Sequence, residues 1–166
     1  MANVLRLTHS DIMNVSTEKT AVIGQRAETV DGRIYRYARA AGTINAGQGV
    51  KKMELKKEGR NVDALNVGDT MVTIASQNLD ANTQKLMEDA LLTIDGQIYN
   101  TDGVSKNGTV NIIGGSLVAA APNSKQLSLV NNQFNGVTGE AATANSLGIA
   151  ETAVPAYSYF WARVSM

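Results

Sequence analysis

Residues 31–50 read DGRIYRYARAAGTINAGQGV and contain the clearest structural signal in the chain. Successive side chains of a β-strand point to opposite faces, so Tyr35, Tyr37 and Arg39 would share one face of a strand. An Asp-Gly dipeptide before this run is a tight-turn signal, and glycines interrupt the residues after it. The stretch therefore predicts a strand, a turn and the start of a second strand.

Two arginines alternate with the two tyrosines, a combination that could form a stacking and electrostatic platform for nucleic acid. The alternative is a strand whose long polar side chains cover one face of a sheet. A nucleic-acid binder would be basic overall, whereas this chain has a formal net charge of zero. The sequence therefore favours the second interpretation and predicts no nucleic-acid partner.

The composition of the chain favours an all-β fold. Its 166 residues are enough for one domain with a buried core, or for two small ones. Aromatic residues make up only 5%, so Val, Ile, Leu and Ala must fill most of that core. Turn-forming residues are spread along the whole chain, between short strand signals. We therefore expect a single small β-barrel or β-sandwich domain with many short strands.

The charges are unevenly distributed along the chain. Residues 1–60 contain eleven Lys and Arg against six Asp and Glu, whereas residues 61–166 contain four against nine. This asymmetry predicts that the two ends of the chain face different neighbours. The most basic part contains five cations, namely Lys51, Lys52, Lys56, Lys57 and Arg60. This cluster could meet an acidic partner surface, or it could be a solvated loop.

Several classes of protein are disfavoured by what the sequence lacks. Without cysteine there can be no disulfide and no thiolate metal site. The first residues, MANVLRLTHSD, lack the apolar core of a signal peptide. No run of about 18 apolar residues is present, so we expect no membrane span and no membrane partner. These features predict a protein that is made in a cytoplasm.

The N-terminal region shows little apolar patterning. Val4, Leu5 and Leu7 could form a short strand, but the polar residues after them give no regular period. We interpret residues 1–23 as an extended N-terminal arm that becomes ordered by docking on a partner. Residues 24–166 are then the β-rich domain.

Three later segments carry local signals. Residues 79–92 place several apolar side chains on one helical face after Asp80, which could cap it, and so predict at most a short helix. An Asp-Gly pair at residues 95–96 lies between apolar runs and predicts a hairpin. The C-terminal residues from Tyr157 to Val164 alternate in a strand-like way and contain four of the eight aromatics. We expect this terminal strand to lie inside the sheet.

No catalytic constellation is evident in the sequence. The single histidine, His9, lies in the predicted arm, where a solvated or capping role is the ordinary one. Four acidic residues could either bind calcium or serve as turn residues, namely Glu88, Asp89, Asp95 and Asp102. Their spacing is not that of a calcium loop, and the glycines do not form a phosphate loop. The sequence predicts a structural or interaction protein, with no enzymatic activity, catalytic residue, cofactor or metal.

Four segments, in the same order, resemble the head-decoration (capsid cement) proteins of tailed bacteriophages. They are DGRIYRYARA with the AGQGV turn after it, ALLTIDGQIYNTDGVSKNG, SKQLSLVNNQFNGV and the closing IAETAVPAYSYFWARVSM. Together they lie within residues 30–166. The chain departs from this group at Ala162 and Arg163, where a Gln often follows the Trp, and in its KLMED segment. The residues before 30 have no counterpart in the group.

The resemblance implies a non-enzymatic virion protein of the capsid surface, made in the host cytoplasm. Such a protein binds the outside of an icosahedral head, usually as a homotrimer, and stabilises it by bridging major capsid subunits. One alternative is a trimeric tail- or fibre-associated module that binds a host-surface glycan through exposed aromatics, for which Tyr35, Tyr37 and Tyr99 are the candidates. A small hydrolase is a further alternative, disfavoured because the chain has one histidine and no cysteine.

Overall fold

The structure is a computed structural model that describes residues 5–165. Within this range the chain forms mainly short β-strands, so the all-β class predicted from the sequence is confirmed. In chain order the elements are β1 (Leu5–Arg6), α1 (His9–Met13), β2 (Arg26–Glu28), β3 (Ile34–Ala40), β4 (Gly49–Lys52), β5 (Lys56–Arg60), β6 (Met71–Thr73), α2 (Ala81–Leu86), β7 (Leu91–Ile94), β8 (Gln97–Val104), β9 (Thr109–Ile112), β10 (Gln126–Val130), β11 (Asn135–Glu140), β12 (Gly148–Ala150) and β13 (Tyr159–Ser165).

The chain divides into two compact units. Unit 1 combines the N-terminal part of the chain, up to Met53, with the C-terminal part from Gln133. Unit 2 is the intervening segment Glu54–Asn132. The two parts of unit 1 come together because β3 pairs with both β11 and β13, which are distant in sequence. The sequence interpretation had placed its only boundary after residue 23.

The sheet of unit 1 closes on itself. Its strand order is β1-β2-β3-β11-β4-β12-β13, and β13 also pairs with β3. β13 runs antiparallel to β3, with Arg163 opposite Tyr35 and Tyr159 opposite Arg39. Strands β3, β11, β4, β12 and β13 therefore form a ring. The expectation that the C-terminal strand lies inside the sheet is confirmed.

Small and β-branched side chains fill most of the interior of this ring. The buried residues are Ala38, Ala40, Ile44, Val50, Val137, Ala150, Val154, Phe160 and Ala162. A ring of few strands has a narrow interior, which accommodates alanines better than large side chains. Phe160 is the largest buried residue in this set and is only 1% exposed. The low aromatic content of the sequence is consistent with this narrow core.

The N-terminal region differs from the extended arm predicted for residues 1–23. Its described part, residues 5–23, contains the two-residue strand β1 and the short helix α1. Leu7, Ile12 and Ile23 are buried in one cluster with aromatic side chains of β3 and β13. Residues 1–4, which were included in the predicted arm, lie outside the described residues.

A capping box starts helix α1. The backbone N–H of Asp11 donates to Thr8 Oγ1 at 3.2 Å, and the N–H of Thr8 donates to Asp11 Oδ2 at 2.7 Å. These two bonds satisfy backbone donors that a helix start otherwise leaves free. The bonds from Thr8 also hold the pKa of the Asp11 carboxyl below its usual value.

Unit 2 has its own six-stranded sheet, in the order β5-β10-β7-β8-β9-β6. Its two end strands meet just beyond β5, where Asn61 forms an antiparallel bridge with Ile74. Next to this bridge, the N–H of Val62 donates to the carbonyl of Thr73 at 3.0 Å. The sheet is therefore curled until its ends are joined.

The interior of unit 2 is richer in leucine and isoleucine than that of unit 1. The buried residues are Leu65, Val72, Ile74, Met87, Ala90, Leu92, Ile94, Tyr99, Val110, Ile112, Leu117, Ala121, Leu127 and Leu129. They come from all the strands of the sheet except β5, and from the loops between them. This core explains why a segment of unit 2's length is compact.

Two local predictions that fall in unit 2 are confirmed. Helix α2 is short, and its N-cap Asp80 accepts a hydrogen bond from the N–H of Thr83 at 2.7 Å. That bond lowers the pKa of the Asp80 carboxyl. Strands β7 and β8 form the expected hairpin. Asp95 and Gly96 at its turn have φ values of 51° and 78°, as the tight turn between twisted strands requires.

Candidate interaction surface

The tyrosines predicted as a glycan-binding platform are buried. Tyr35 is 0% exposed and Tyr37 is 2% exposed. Tyr99, in unit 2, is 8% exposed, and its hydroxyl accepts a hydrogen bond from the N–H of Val118 at 3.2 Å. None of these rings is available for stacking on a sugar or a base. Burial therefore removes the platform proposed for either ligand.

The aromatic face of β3 and β13 is instead the second core of unit 1. The rings of Tyr37 and Tyr159 stack in parallel with their centroids 5.6 Å apart, and Trp161 lies 4.9 Å from Tyr37. The guanidinium of Arg39 lies 4.4 Å above the Tyr159 ring and donates to the carbonyl of Tyr157 at 2.9 Å. The alternation of tyrosine and arginine thus forms a covered layer within the protein.

The N-terminal region supplies the cover for that layer. Ser16 forms a backbone bridge with Tyr159, in which the N–H of Tyr159 donates to the Ser16 carbonyl at 2.7 Å. The N–H of Thr20 donates to the hydroxyl of Tyr37 at 3.0 Å. These bonds fix the segment over the rings, while its apolar side chains pack beside them.

The basic cluster predicted from the sequence is divided between the two units. Lys51 and Lys52 lie on β4 of unit 1, whereas Lys56, Lys57 and Arg60 lie on β5 of unit 2. Lys56 pairs with Glu58 at 2.7 Å, which raises the pKa of its amine. Lys51 is exposed, and among residues 5–165 neither it nor Lys52 forms an ion pair.

The acidic residues considered as calcium ligands do not form a site. Asp95 pairs with Lys125, with a carboxylate oxygen 2.5 Å from Nζ. Asp102 lies on β8 and is exposed. In the described part of the chain, no three His, Asp or Glu side chains come together in a way that could hold a metal ion. His9 is exposed at the start of α1.

A surface that the sequence did not reveal lies on the outside of unit 2. We call it the outer apolar face, and it contains the exposed large apolar residues of this unit: Val62, Val67, Met71, Ile98, Ile113 and Val118. Their exposed fractions range from 45% for Ile113 to 67% for Val67. Contiguous exposed apolar surface on a soluble protein commonly marks a site of interaction.

The strand register places the central members of this face close together. Met71 on β6 is opposite Asn111 on β9, so Ile113 is two residues further along the same face. Ile113 donates its N–H to the carbonyl of Asn100 on β8, and Ile98 is two residues from that position. Residues in such diagonal positions on neighbouring strands are within reach of one another. Met71, Ile113 and Ile98 therefore form a band across three strands.

Loop residues extend the band at one end. The N–H of Gly68 donates to the carbonyl of Leu117, and the N–H of Leu117 donates to the carbonyl of Asp69, both at 2.9 Å. This pair of bonds brings Val67 and Val118 to the same end of the sheet as Asp69. The exposed apolar residues of unit 2 are thus not scattered singly.

Acidic side chains border the outer apolar face. Asp63 and Asp69 line a groove of about 420 Å³ that opens beside Met71. Asp102 follows Ile98 and Asn100 on the exposed side of β8. Among residues 5–165, none of these three carboxylates forms an ion pair. The face is therefore an apolar surface with an uncompensated negative border.

The sequence contained one usable signal for this face. Met71-Val72-Thr73 and Gln97-Ile98-Tyr99 carry apolar residues in both phases of the strand alternation, so one of each must point outward. The sequence analysis predicted strands at both places but did not predict which of these side chains point outward. The register between strands, which places Ile113 beside Met71, cannot be read from either strand alone.

Comparisons of this chain with protein-family models, curated proteins and solved structures find no match. Within residues 5–165, no helix is long and apolar enough to cross a membrane. The outer apolar face must therefore be interpreted from its own chemistry. It presents apolar side chains within a charged border, the arrangement found at protein–protein interfaces.

Proposed function

We propose that this chain is a structural protein of a bacteriophage virion that binds the outside of the icosahedral head. In this role it is a homotrimer that stabilises the capsid by bridging major capsid subunits. The observation that carries the proposal is the outer apolar face of unit 2, which has the composition of a protein-binding surface. The four segments that resemble head-decoration proteins support the capsid as the proposed partner.

The physical basis of such a role is multivalent attachment. Several copies that each make a modest contact, and that also contact one another, leave the shell only if all contacts break together. No cofactor, metal or enzymatic activity is needed for this. Each unit has its own buried core, so the surface that it presents to the shell is already ordered, which reduces the ordering cost of binding.

The glycan-binding module was the alternative, and nothing in the structure favours it. It required an exposed aromatic platform, and Tyr35, Tyr37 and Tyr99 are all buried. Capsid binding through protein–protein contacts is therefore the function we retain.

The test is co-sedimentation of the purified protein with expanded heads that lack it. We expect the protein to pellet with the heads in a saturable way and to raise the temperature at which the heads release DNA. The matched control is unexpanded heads prepared from the same lysate. Failure of the wild-type protein to bind heads at any concentration would reject this function.

A further inference from the structure

We propose that the outer apolar face of unit 2 binds the Lys51–Lys52 surface of unit 1 in a second copy of this chain, so that copies join head to tail. This inference rests on the proposed function only in taking the working form to be a homo-oligomer. The inference also specifies which two surfaces form the contact between copies. The wild-type protein, free of heads, is sufficient to test it.

The first argument is the charge of the two units. Unit 1 contains nine Lys and Arg against six Asp and Glu, and unit 2 contains six against nine. The units therefore carry formal charges of +3 and −3. Opposite charges on two surfaces steer their encounter and fix their register. Unit 1 of a second copy is thus an electrostatically suitable partner for unit 2.

The second argument is local and concerns charges that lack partners. Four of the nine cations of unit 1 form ion pairs: Arg6 and Arg26 with Glu28, and Arg33 and Arg163 with Glu151. Lys51 forms no ion pair within the described chain and is exposed on the outer face of β4. Lys52 also forms none there, but it lies opposite the buried Val137 in the strand register, so it is on the inner face and only partly exposed. Lys51 is thus the exposed cation of this strand that remains for a partner.

The border of the outer apolar face carries acidic side chains, which are opposite in charge to the Lys51–Lys52 surface. Within residues 5–165, Asp63, Asp69 and Asp102 form no ion pair, and Lys106 lies in the turn that joins β8 and β9. An apolar centre would supply most of the free energy of binding, while the charged border would select the partner. The two surfaces of one chain thus carry opposite charges.

The same charges argue against a face-to-face dimer. Two outer apolar faces brought together would also bring their acidic borders together, and like charges across an interface are unfavourable. A contact between two different surfaces is heterologous. Such a contact leaves one surface of each kind free on a dimer, so addition continues until a ring closes. A closed ring satisfies every outer apolar face.

The experiment uses two variants of the full chain. The first, Met71→Glu with Ile113→Glu, damages the outer apolar face, and the second, Lys51→Glu, reverses the charge of the exposed lysine of the Lys51–Lys52 surface. Met71 and Ile113 are 60% and 45% exposed, so neither change enters a core. Val30→Glu is the matched control, because Val30 is 94% exposed and lies in neither surface. Circular dichroism confirms folding of each variant.

Sedimentation equilibrium over a wide concentration range gives the first result. We expect reversible association of the wild type, weakened when NaCl is raised from about 50 mM to about 500 mM. Each of the two variants should raise the dissociation constant about tenfold or more, as loss of central interface residues does. The Val30→Glu control should associate like the wild type. Met71→Ala provides a milder variant that also weakens association.

Mixing the two damaged variants gives the decisive result. Each retains the surface that the other has lost, so an equimolar mixture should form a one-to-one heterodimer although neither variant associates alone. A face-to-face contact predicts the opposite, because the lysine variant would then self-associate normally. That outcome, a monomeric wild type at every concentration, or association unaffected by both variants would each overturn the inference.

The co-sedimentation assay separates this inference from the proposed function. Wild-type protein that binds heads, but whose association is insensitive to these variants, leaves the function in place and rejects the surfaces. Wild-type protein that forms the predicted ring but does not bind heads supports the surfaces and rejects the function.

Discussion

The sheets of the two units differ in whether other residues of the chain cover their outer faces. In unit 1 the outer face of β3 and β13 carries aromatic rings, and residues 5–25 cover it with Leu7, Ile12 and Ile23. In unit 2 the outer face of β6, β9 and β8 carries aliphatic side chains that remain 45–60% exposed. One unit therefore contains its own cover, whereas the other offers its outer face to a partner.

The difference shows when the outer face of a closed sheet needs a covering layer. Both units bury an inner core by curling, so the inner face alone does not distinguish them. An outer face of tyrosine and tryptophan exposes too much apolar area to remain in water, so unit 1 needs a second layer. The outer face of unit 2 carries a smaller apolar area, a band of three aliphatic side chains that remain about half exposed.

The largest effect is expected from removing β13. A chain that ends at residue 156 loses Phe160 and Ala162 from the inner core and Tyr159 and Trp161 from the outer layer. It also leaves unpaired edges on β3 and β12. We expect unit 1 to unfold, detected as loss of hydrogen-exchange protection in its peptides. Protection of β3 and β4 equal to that of the full chain would refute the ring.

The next effect tests whether the N-terminal segment is a true second layer. Ile12 is 2% exposed, so Ile12→Ala should lower the free energy of unfolding by about 2–5 kcal/mol. Its neighbour Met13 is 41% exposed, and Met13→Ala is the control, with an expected change of about 0.5 kcal/mol or less. Urea denaturation measures both. Equal effects at the two positions would mean that the segment does not pack on the aromatic face.

The packing of this N-terminal segment is a part of the fold that the sequence did not predict. Alternation in β3 correctly placed Tyr35 and Tyr37 on one face and Ala38 on the other, because a strand has a fixed period. The N-terminal residues bury single apolar side chains from a short helix and irregular loops, so no period exists to detect. Thr8 and Asp11, spaced as a capping box, were the available signal and were not used.

The candidate surface was missed for a different reason. A strand with apolar residues on both faces does not show which face is exposed, so the sequence made no prediction about the exposure of Met71 and Ile98. Whether an apolar side chain points in or out depends on register with neighbouring strands. Likewise, the division into two units depends on the pairing of β3 with β11 and β13, across about a hundred residues. Local patterns contain neither piece of information.

A third prediction concerns the turn before β9 in unit 2, which packs against the end of β6. Gly108 has a φ of +90°, and a Cβ there would overlap the carbonyl oxygen of Ile74 on the strand next to it. Gly68 has nearly the same backbone, with a φ of +93°, but open space around it. We expect Gly68→Ala to cost about 1 kcal/mol from backbone strain alone, and Gly108→Ala about 2 kcal/mol or more because of the added overlap.

Chemical denaturation of the two alanine variants measures this difference directly. Because the backbone strain is nearly the same, the gap between them reports the close approach of Gly108 to the end of β6. Identical stabilities would show that Ile74 and Gly108 are not packed as the structure has them.

The smallest effect compares one buried tyrosine hydroxyl from each unit. Tyr35 Oη, in unit 1, is buried and has no hydrogen-bond partner among the described residues, so Tyr35→Phe should leave stability at neutral pH nearly unchanged. Tyr99 Oη, in unit 2, accepts from Val118, so Tyr99→Phe should cost about 1 kcal/mol. Thermal unfolding of both variants separates the two cases.

The pH dependence of stability tests the burial of the Tyr35 hydroxyl directly. Burial, with the nearby Glu151 carboxylate adding to it, raises the pKa of Tyr35 from 10.0 to about 12. Since the unfolded chain loses this proton first, Tyr35 makes stability fall as the pH rises from about 10 to about 12. Tyr35→Phe removes that contribution, so its stability relative to the wild type should increase over this range. A difference between wild type and Tyr35→Phe that is constant from pH 8 to about pH 12 would show that the Tyr35 hydroxyl reaches water, and that the second layer of unit 1 is open where the structure closes it.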